Sequence, residues 1–475
     1  MTFSVSVRYF EKVKERAGEE VFNNKNFTGF IHPLPIKLRN VHTNSYNSIK
    51  DIASNLVERE SLPSLVQQLI LKKSDIDFSS FTKEDDSFEL LFKIAESMNN
   101  SYLPIQGPPG TGKSTILGKV AAELGNSGKK IGIVAPSYAA VLNLVKKIIP
   151  HLNEEKIACS GFSGDLKKEI ESLESLEILS NDDKALGFNL VATSVNKICH
   201  QRYEEFFDYL IIDEVGQVPI ITTMATVRST KNLILIGDPN QLPQVRNGSH
   251  PNDNGLSTFE YLIEQQTTLP EDKGIFLDTT FRMHEDVNKF VSSYFYDEKL
   301  TNHNITNDRH LKHESKEFKS TGIQFLPVPH KGNTQASLEE VQKVSEIVET
   351  LLSSKLINNE SERLLTPEDI LIVSPYNLQV FELSKKLGEN YRVGTVDKFQ
   401  GQEAPVVVVS LAASNYEEAP RGIDFILNFN RMNVALSRSQ CLSIVVGSPS
   451  LTHLHYQNLN SIRLTNFHRT LMSSN

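Results

Sequence analysis

Residues 106–115 read Gln106-Gly107-Pro108-Pro109-Gly110-Thr111-Gly112-Lys113-Ser114-Thr115. Gly107, four residues, then Gly112-Lys113-Ser114 meets the G-x-x-x-x-G-K-[ST] pattern of a phosphate-binding loop in full. The residue types suit the task. Glycines let successive N–H groups turn inward around an anion at a helix N-terminus. Lys113 supplies a compact charge for β- and γ-phosphates, and the Ser114 hydroxyl suits Mg²⁺. The preceding S-Y-L-P-I-Q predicts a short strand and the following T-I-L-G-K-V-A-A-E-L a helix, which is the context the motif requires.

Working outward, Tyr209-Leu-Ile-Ile-Asp-Glu214 predicts a buried strand ending in two acids, about 100 residues after the loop. Asp213 is placed to hold the metal through water and Glu214 to polarise an attacking water. Leu233–Pro243 (L-I-L-I-G-D-P-N-Q-L-P) predicts a second such strand, whose turn carries Gln241 toward the γ-phosphate.

Further aliphatic runs at Ile131–Ala135, Ile370–Ser374, Val406–Leu411 and Cys441–Gly447 alternate with helical segments. They predict an α/β fold with parallel sheets covered on both faces and ligand sites at strand C-termini. Three regions follow: 1–85, an accessory region with a strand-like start at Phe3, Val5 and Val7; 86–272, the P-loop unit; and 273–475, a second α/β unit. Within the P-loop unit, 153–184 is charged with a helical run from Leu166 to Leu179, and reads as an excursion from the sheet. Thr301–His313 and Gly322–Asn333 read as loops, with His310 and His313 as solvated loop residues rather than a metal pair.

The 475 residues exceed one ordinary core, which agrees with several domains. No apolar stretch approaches the ~20 residues of a membrane helix, and no signal peptide is evident. The three cysteines, Cys159, Cys199 and Cys441, are far apart and form no C-x-x-C, so a cytoplasmic compartment without a cysteine metal site is expected. A net charge of −9 argues against bulk coating of nucleic acid but allows a narrow basic channel.

Together the motifs resemble the superfamily 1 helicases of the up-frameshift type: Q-G-P-P-G-T-G-K-S, A-P-S-Y-A-A, A-T-S, D-E-V-G-Q, G-D-P-N-Q-L-P, T-F-R-M-H, S-P-Y-N-L-Q, G-T-V-D-K-F-Q-G-Q-E and N-V-A-L-S-R, in that order from about Ser101 to Leu451. The segments H-P-N-D-N-G, G-I-F-L-D-T-T-F-R-M-H and D-K-F-Q-G-Q-E-A-P resemble most the helicase portion of bacterial nuclease–helicase fusions.

The resemblance implies two tandem RecA-like domains that hydrolyse ATP with Mg²⁺ at their shared cleft, drive 5′-to-3′ translocation on single-stranded DNA or RNA, and work as a monomer. By the same resemblance Gln217 senses the attacking water, Arg282 and Arg438 act as arginine fingers, and Phe281 stacks on adenine, unless it is a core phenylalanine. Glu403 faces the ribose or couples strand to nucleotide. Pro136, Ser137, Thr193, Pro375, Asn377 and Thr395 would line the strand groove, with Tyr138 and Tyr376 as ordinary half-buried tyrosines.

The chain departs from the family in three places. No Gln stands in Phe81–Ile94 to read adenine, Val215 replaces the usual Ala after Asp-Glu, and the region before the P-loop is short for the family's accessory β-barrel. No nuclease-type carboxylate cluster is evident. This motivates an alternative function: an ATP-driven switch or remodelling subunit of a separately encoded nuclease, without processive unwinding.

Overall fold

Val- and Ile-rich segments that are apolar at every position can be satisfied only with both faces covered, and two all-parallel sheets meet that demand. In the computed structural model the described residues are 43–59, 62–81, 86–153, 155–179, 182–244, 255–264, 266–415, 417, 419–452 and 459–474. The first sheet holds β1 Tyr102–Gln106, β2 Ile131–Ala135, β3 Ile157–Cys159, β4 Leu176–Ile178, β5 Leu190–Ser194, β6 Phe207–Ile212, β7 Thr230–Gly237 and β8 Ile275–Phe276. Their order is β4-β3-β5-β2-β6-β7-β1-β8.

Because side chains alternate along a strand, Ile105, Ile133, Ile211 and Ile234 enter one core while Val134, Leu210, Ile212 and Leu235 enter another on the opposite face. Helices α1 Thr43–Arg59 and α2 Ser64–Leu71 precede the sheet; α3 Ser87–Ser97, α4 Lys113–Asn126 and α5 Tyr138–Ile148 cover its first face. Helices α4 and α5 approach closely at Gly118, where a Cβ would lie 2.6 Å from the Lys147 carbonyl oxygen.

The second sheet holds β9 Gly322–Pro327, β10 Ile370–Val373, β11 Arg392–Gly394, β12 Ala404–Ser410 and β13 Ser439–Gly447, in the order β9-β13-β12-β10-β11 and again parallel. Val407, Val409 and Val445 face a core shared with α6 Glu285–Phe295 and α9 Phe429–Leu436, as well as α10 Leu459–Ser473. Val406, Val408 and Ile444 face α7 Leu338–Leu352, with Leu383 of α8 Asn377–Leu387 beside it.

Four expectations need correction. The stretch 153–184 is no excursion, since β3 and β4 extend the sheet edge in parallel beyond β5. Its helix stops at Glu171, because Leu176–Ile178 joins the sheet edge beside Ile157–Cys159. Gly322–Pro327 is a strand rather than a loop, paired along its length with Leu442–Gly447. Within Thr301–His313, His310–Lys312 is a strand paired with Lys355–Ile357, so His310 and His313 do not share a helix face. Their imidazoles engage backbone carbonyls, of Asp308 for His310 and of Ser315 and Lys319 for His313.

Residues 44–81, taken from sequence as accessory, pack into the first unit: Leu65, Val66 and Leu69 share a core with β6 and β7, and Ser48 Oγ donates to the Ala225 carbonyl at 2.7 Å. Strand β8 also lies just beyond position 272, where the sequence reading began the second unit. The strand-like start at Phe3, Val5 and Val7, and residues 250–254 of H-P-N-D-N-G, lie outside the described residues. Residues 44–475 group as one compact unit. No helix among the described residues is long and apolar enough to cross a membrane.

Candidate active site

Strand β1 delivers Gly107 between two anchors. Its N–H donates to the Gly237 carbonyl of β7 at 2.9 Å, and the loop then turns into α4. Gly110 adopts φ +78°, and a Cβ there would lie 2.4 Å from Thr280 Oγ1 and 2.5 Å from Arg282 Cβ, so only glycine fits. Pro108 and Pro109 offer carbonyls to Thr111 Oγ1 and Thr280 Oγ1, each at 2.9 Å. Lys113 folds back so that Nζ donates to the Gly107 carbonyl at 2.5 Å, over the cradle of loop N–H groups. Gly112, at φ +74°, opens α4, with Ser114 half-buried and Thr115 exposed in its first turn.

At the end of β6, Asp213 is buried and accepts from the Glu214 N–H at 2.8 Å. Glu214 sits half-buried at φ +53°, a left-handed position uncommon for a side-chain-bearing residue. Burial first, and then the neighbouring Glu214, push the Asp213 carboxyl up to about 7, against the pull of the Glu214 N–H and Lys113. The group therefore holds more protons folded than unfolded, where a free Asp titrates near ~3.9. Its destabilisation of the metal-free protein is full above about 7 and is relieved as the pH falls toward ~4. In a chelator, Asp213→Asn is expected to raise the melting temperature at about pH 8 and to narrow the gap as the pH falls to about 5. Parallel melting curves across that window would refute the shift.

After β7, Asp238 is the hub of a buried network. Its Oδ2 accepts from Gln241 Nε2 at 2.8 Å and Tyr296 Oη at 2.6 Å, while Oδ1 accepts from the Asn240 N–H at 3.1 Å. Helix α9 grips this loop from the second sheet. Asn430 Nδ2 donates to the Pro239 and Gln241 carbonyls, and Asn433 Nδ2 to the Asn240 carbonyl and Tyr296 Oη. Tyr296, Asn430 and Asn433 went unnoticed in the sequence. The i, i+3 amides of N-R-M-N-V-A-L-S-R were the available signal.

The two arginines converge on the same cleft. Arg438 is 3% exposed, and its Nη2 donates to Gln241 Oε1 at 3.2 Å. Its Nε is buried with no partner among the described residues. Burial above all, and then Arg282, hold its guanidinium well below the usual arginine pKa. Arg282 Nε meets Glu403 Oε2 at 2.5 Å and Nη1 the Ser437 carbonyl at 3.3 Å. Burial pushes the Glu403 carboxyl up, but Arg282 and Gln440 more than offset this and hold it below the usual range. Arg438 thus keeps a buried guanidinium donor unused among the described residues, and a buried charge of that kind gains when an anion enters.

Phe281 is 47% exposed and stacks on the His303 ring at 4.7 Å, with its N–H bonded to the Gly110 carbonyl, so the core reading falls and the ring stands partly exposed beside the loop. Gln217 follows Glu214 in a short 3₁₀ turn and is half-buried.

The remaining residues lie at strand C-termini. Pro136 and Ser137 follow β2, both exposed, and Ser137 Oγ caps α5 by accepting from the Ala140 N–H. Pro375 and Asn377 follow β10, and Thr395 follows β11, all at least partly exposed. Thr193 differs from expectation: it is fully buried, and its hydroxyl donates to the Ser160 carbonyl at 3.0 Å. Tyr376 is buried rather than half-buried, whereas Tyr138 is half-buried against Phe162.

Two parallel α/β sheets, one carrying a phosphate loop and the other two arginines for the same cleft, define a tandem RecA-like P-loop protein. Comparison with known proteins agrees. Residues 93–247 and 255–450 each match an AAA domain family. The DNA replication ATP-dependent helicase/nuclease dna2 of Schizosaccharomyces pombe is 28% identical over 387 residues, 74% of this chain and 26% of that protein. The DNA polymerase alpha-associated DNA helicase A of the same yeast is 27% identical over 449 residues, 79% of this chain and 66% of that protein. The ATP-dependent helicase NAM7 of Saccharomyces cerevisiae is 24% identical over 471 residues, 85% and 47% respectively. The chain thus spans from a quarter to two-thirds of the length of these relatives. By these matches it is similar to the superfamily 1 helicases of the up-frameshift type.

Proposed function

We propose that this chain is an ATP-driven motor that moves 5′ to 3′ along single-stranded DNA or RNA and opens duplexes. The observation that carries the reading is Arg438. A guanidinium from the second sheet is buried in the cleft, its Nη2 3.2 Å from Gln241 of the first sheet and its Nε without a partner among the described residues. Charge delivered across a cleft makes hydrolysis depend on closure, and so converts nucleotide state into relative motion. The hinge is assigned to Leu277–Phe281: Leu277 bonds the Gln106 carbonyl of the first sheet, while Thr279–Thr280 pairs with Thr301–Asn302 on the other side.

In this reading the loop N–H groups and Lys113 hold the β- and γ-phosphates, and Phe281 stacks on the base. Glu403 receives the ribose or couples strand to nucleotide. The hydroxyl of Ser114 and the carboxylate of Asp213 are hard oxygen donors that fit Mg²⁺. When bound, that ion neutralises phosphate charge. Glu214 draws a proton from the attacking water, Gln217 and Gln241 report the γ-phosphate, and Arg282 and Arg438 stabilise charge on the transferring oxygens. Pro136, Ser137, Pro375, Asn377 and Thr395 form the strand groove, where hydroxyls, amides and N–H groups suit backbone contacts. Thr193 orders that groove from behind. The three cysteines are free and buried, which supports a reducing compartment such as the cytoplasm. The resemblance to fused proteins supports a separate nuclease as partner of a monomeric motor.

The test is an ATPase titration with single-stranded DNA and RNA, followed by strand displacement on duplexes with 5′ and 3′ overhangs. Strong stimulation and displacement from the 5′ overhang are expected. No stimulation by either polymer would overturn the motor reading, and stimulation without displacement would favour the switch.

A further inference from the structure

We infer that Arg421, Phe425 and Arg431 form an additional phosphate-binding element for single-stranded nucleic acid on the second RecA-like unit. The inference rests on the strand groove proposed above. Both guanidiniums lie over one ring, Arg421 at 4.7 Å and Arg431 at 4.3 Å from the Phe425 centroid. Phe425 in turn contacts the ring of Tyr376 at 5.3 Å, and Tyr376 stands between Pro375 and Asn377 of the groove. The Tyr376 hydroxyl is buried with no hydrogen-bond partner among the described residues.

The physical point is how an arginine is used when it stacks. Its face satisfies the ring, while its five N–H donors lie in plane and stay available for bidentate phosphate contacts. Among the described residues neither Arg421 nor Arg431 makes a salt bridge or a side-chain hydrogen bond, so both forks are unspent. The neighbouring carboxylate, Asp424, instead accepts from Asn460 Nδ2 at 2.6 Å. Arg463 repeats the pattern on α10, 4.3 Å over Phe429. Two cations over one ring, neither paired with a carboxylate among the described residues, are unexpected on a chain of net charge −9 unless an anion visits them. A phosphodiester backbone passing the Pro375–Asn377 loop is the anion in reach.

The test compares wild type with Arg421→Gln/Arg431→Gln in fluorescence anisotropy, using labelled oligo-dT and oligo-rU of about 15 nucleotides. Each lost phosphate contact on a single strand removes about 0.7 from the slope of log K against log salt. The double variant should therefore lose about 1.4 from that slope, and affinity should fall at least about tenfold at about 0.1 M salt. Arg421→Lys/Arg431→Lys should keep the slope but bind more weakly, because charge survives while the planar fork does not. A glutamine variant with the wild-type slope and affinity overturns the inference and leaves the motor reading standing. Competition by polyglutamate as effective as by oligonucleotide also overturns it, in favour of an acidic peptide. Failure of the wild type itself to bind either oligonucleotide overturns the motor reading and this inference together. Should the glutamine variant not fold, an unchanged affinity in the lysine variant overturns the inference by itself.

Discussion

Arg438→Ala is expected to slow ATP hydrolysis by about 10³–10⁵-fold, the range of an arginine that stabilises charge in phosphoryl transfer. The side chain is 3% exposed, and its only described contacts are long bonds, to Gln241 Oε1 at 3.2 Å and the Gln402 carbonyl at 3.4 Å. A buried guanidinium held this loosely, with Nε unpartnered among the described residues and Arg282 as neighbour, gains most when an anion enters the cleft. Arg438→Lys should restore little, since a point charge cannot reproduce a fork fixed between Gln241 and the phosphate. Single-turnover hydrolysis, with nucleotide binding measured in parallel, checks this. A rate within tenfold of wild type at saturating ATP would show that Arg438 serves structure alone.

Glu214→Gln is the second large effect, a loss of about 10²–10⁴-fold in hydrolysis with nucleotide binding retained. The substitution keeps the shape of the side chain and its left-handed backbone position, φ +53°, and removes only the capacity to take a proton. Asp213 cannot replace it, because burial and its bond to the Glu214 N–H commit that carboxyl to the loop. The variant should accumulate bound, unhydrolysed ATP. Turnover near the wild-type rate would exclude Glu214 as the base.

Much of the site was legible because its parts are local. A phosphate loop is specified by glycines, lysine and serine within ten residues, and its strand and helix neighbours follow from adjacent periodicity. Asp213 and Asp238 could be placed because each ends an aliphatic strand. The errors fell where local pattern is ambiguous. Ile157-Ala-Cys159 and Gly322–Pro327 are too short to separate strand from loop by periodicity, and only the exposed edges of β5 and β13 decide them. Thr193 carries a hydroxyl suited to a strand, but its partner, the Ser160 carbonyl, lies on the neighbouring strand's exit.

The sequence by itself determined that this chain holds a P-loop, a pair of acids ending a buried strand and two all-buried parallel sheets. Those follow from backbone conformation and side-chain alternation, which neighbouring residues dictate. Only the tertiary structure decided what the loop is coupled to. Arg438 and Gln241 are 197 positions apart, Tyr296 and Asp238 58, and Asn433 and Tyr296 137. Nothing local selects such partners: they meet because two sheets bury their own cores and leave one polar cleft between them, where unpaired charge is tolerated only in expectation of an anion.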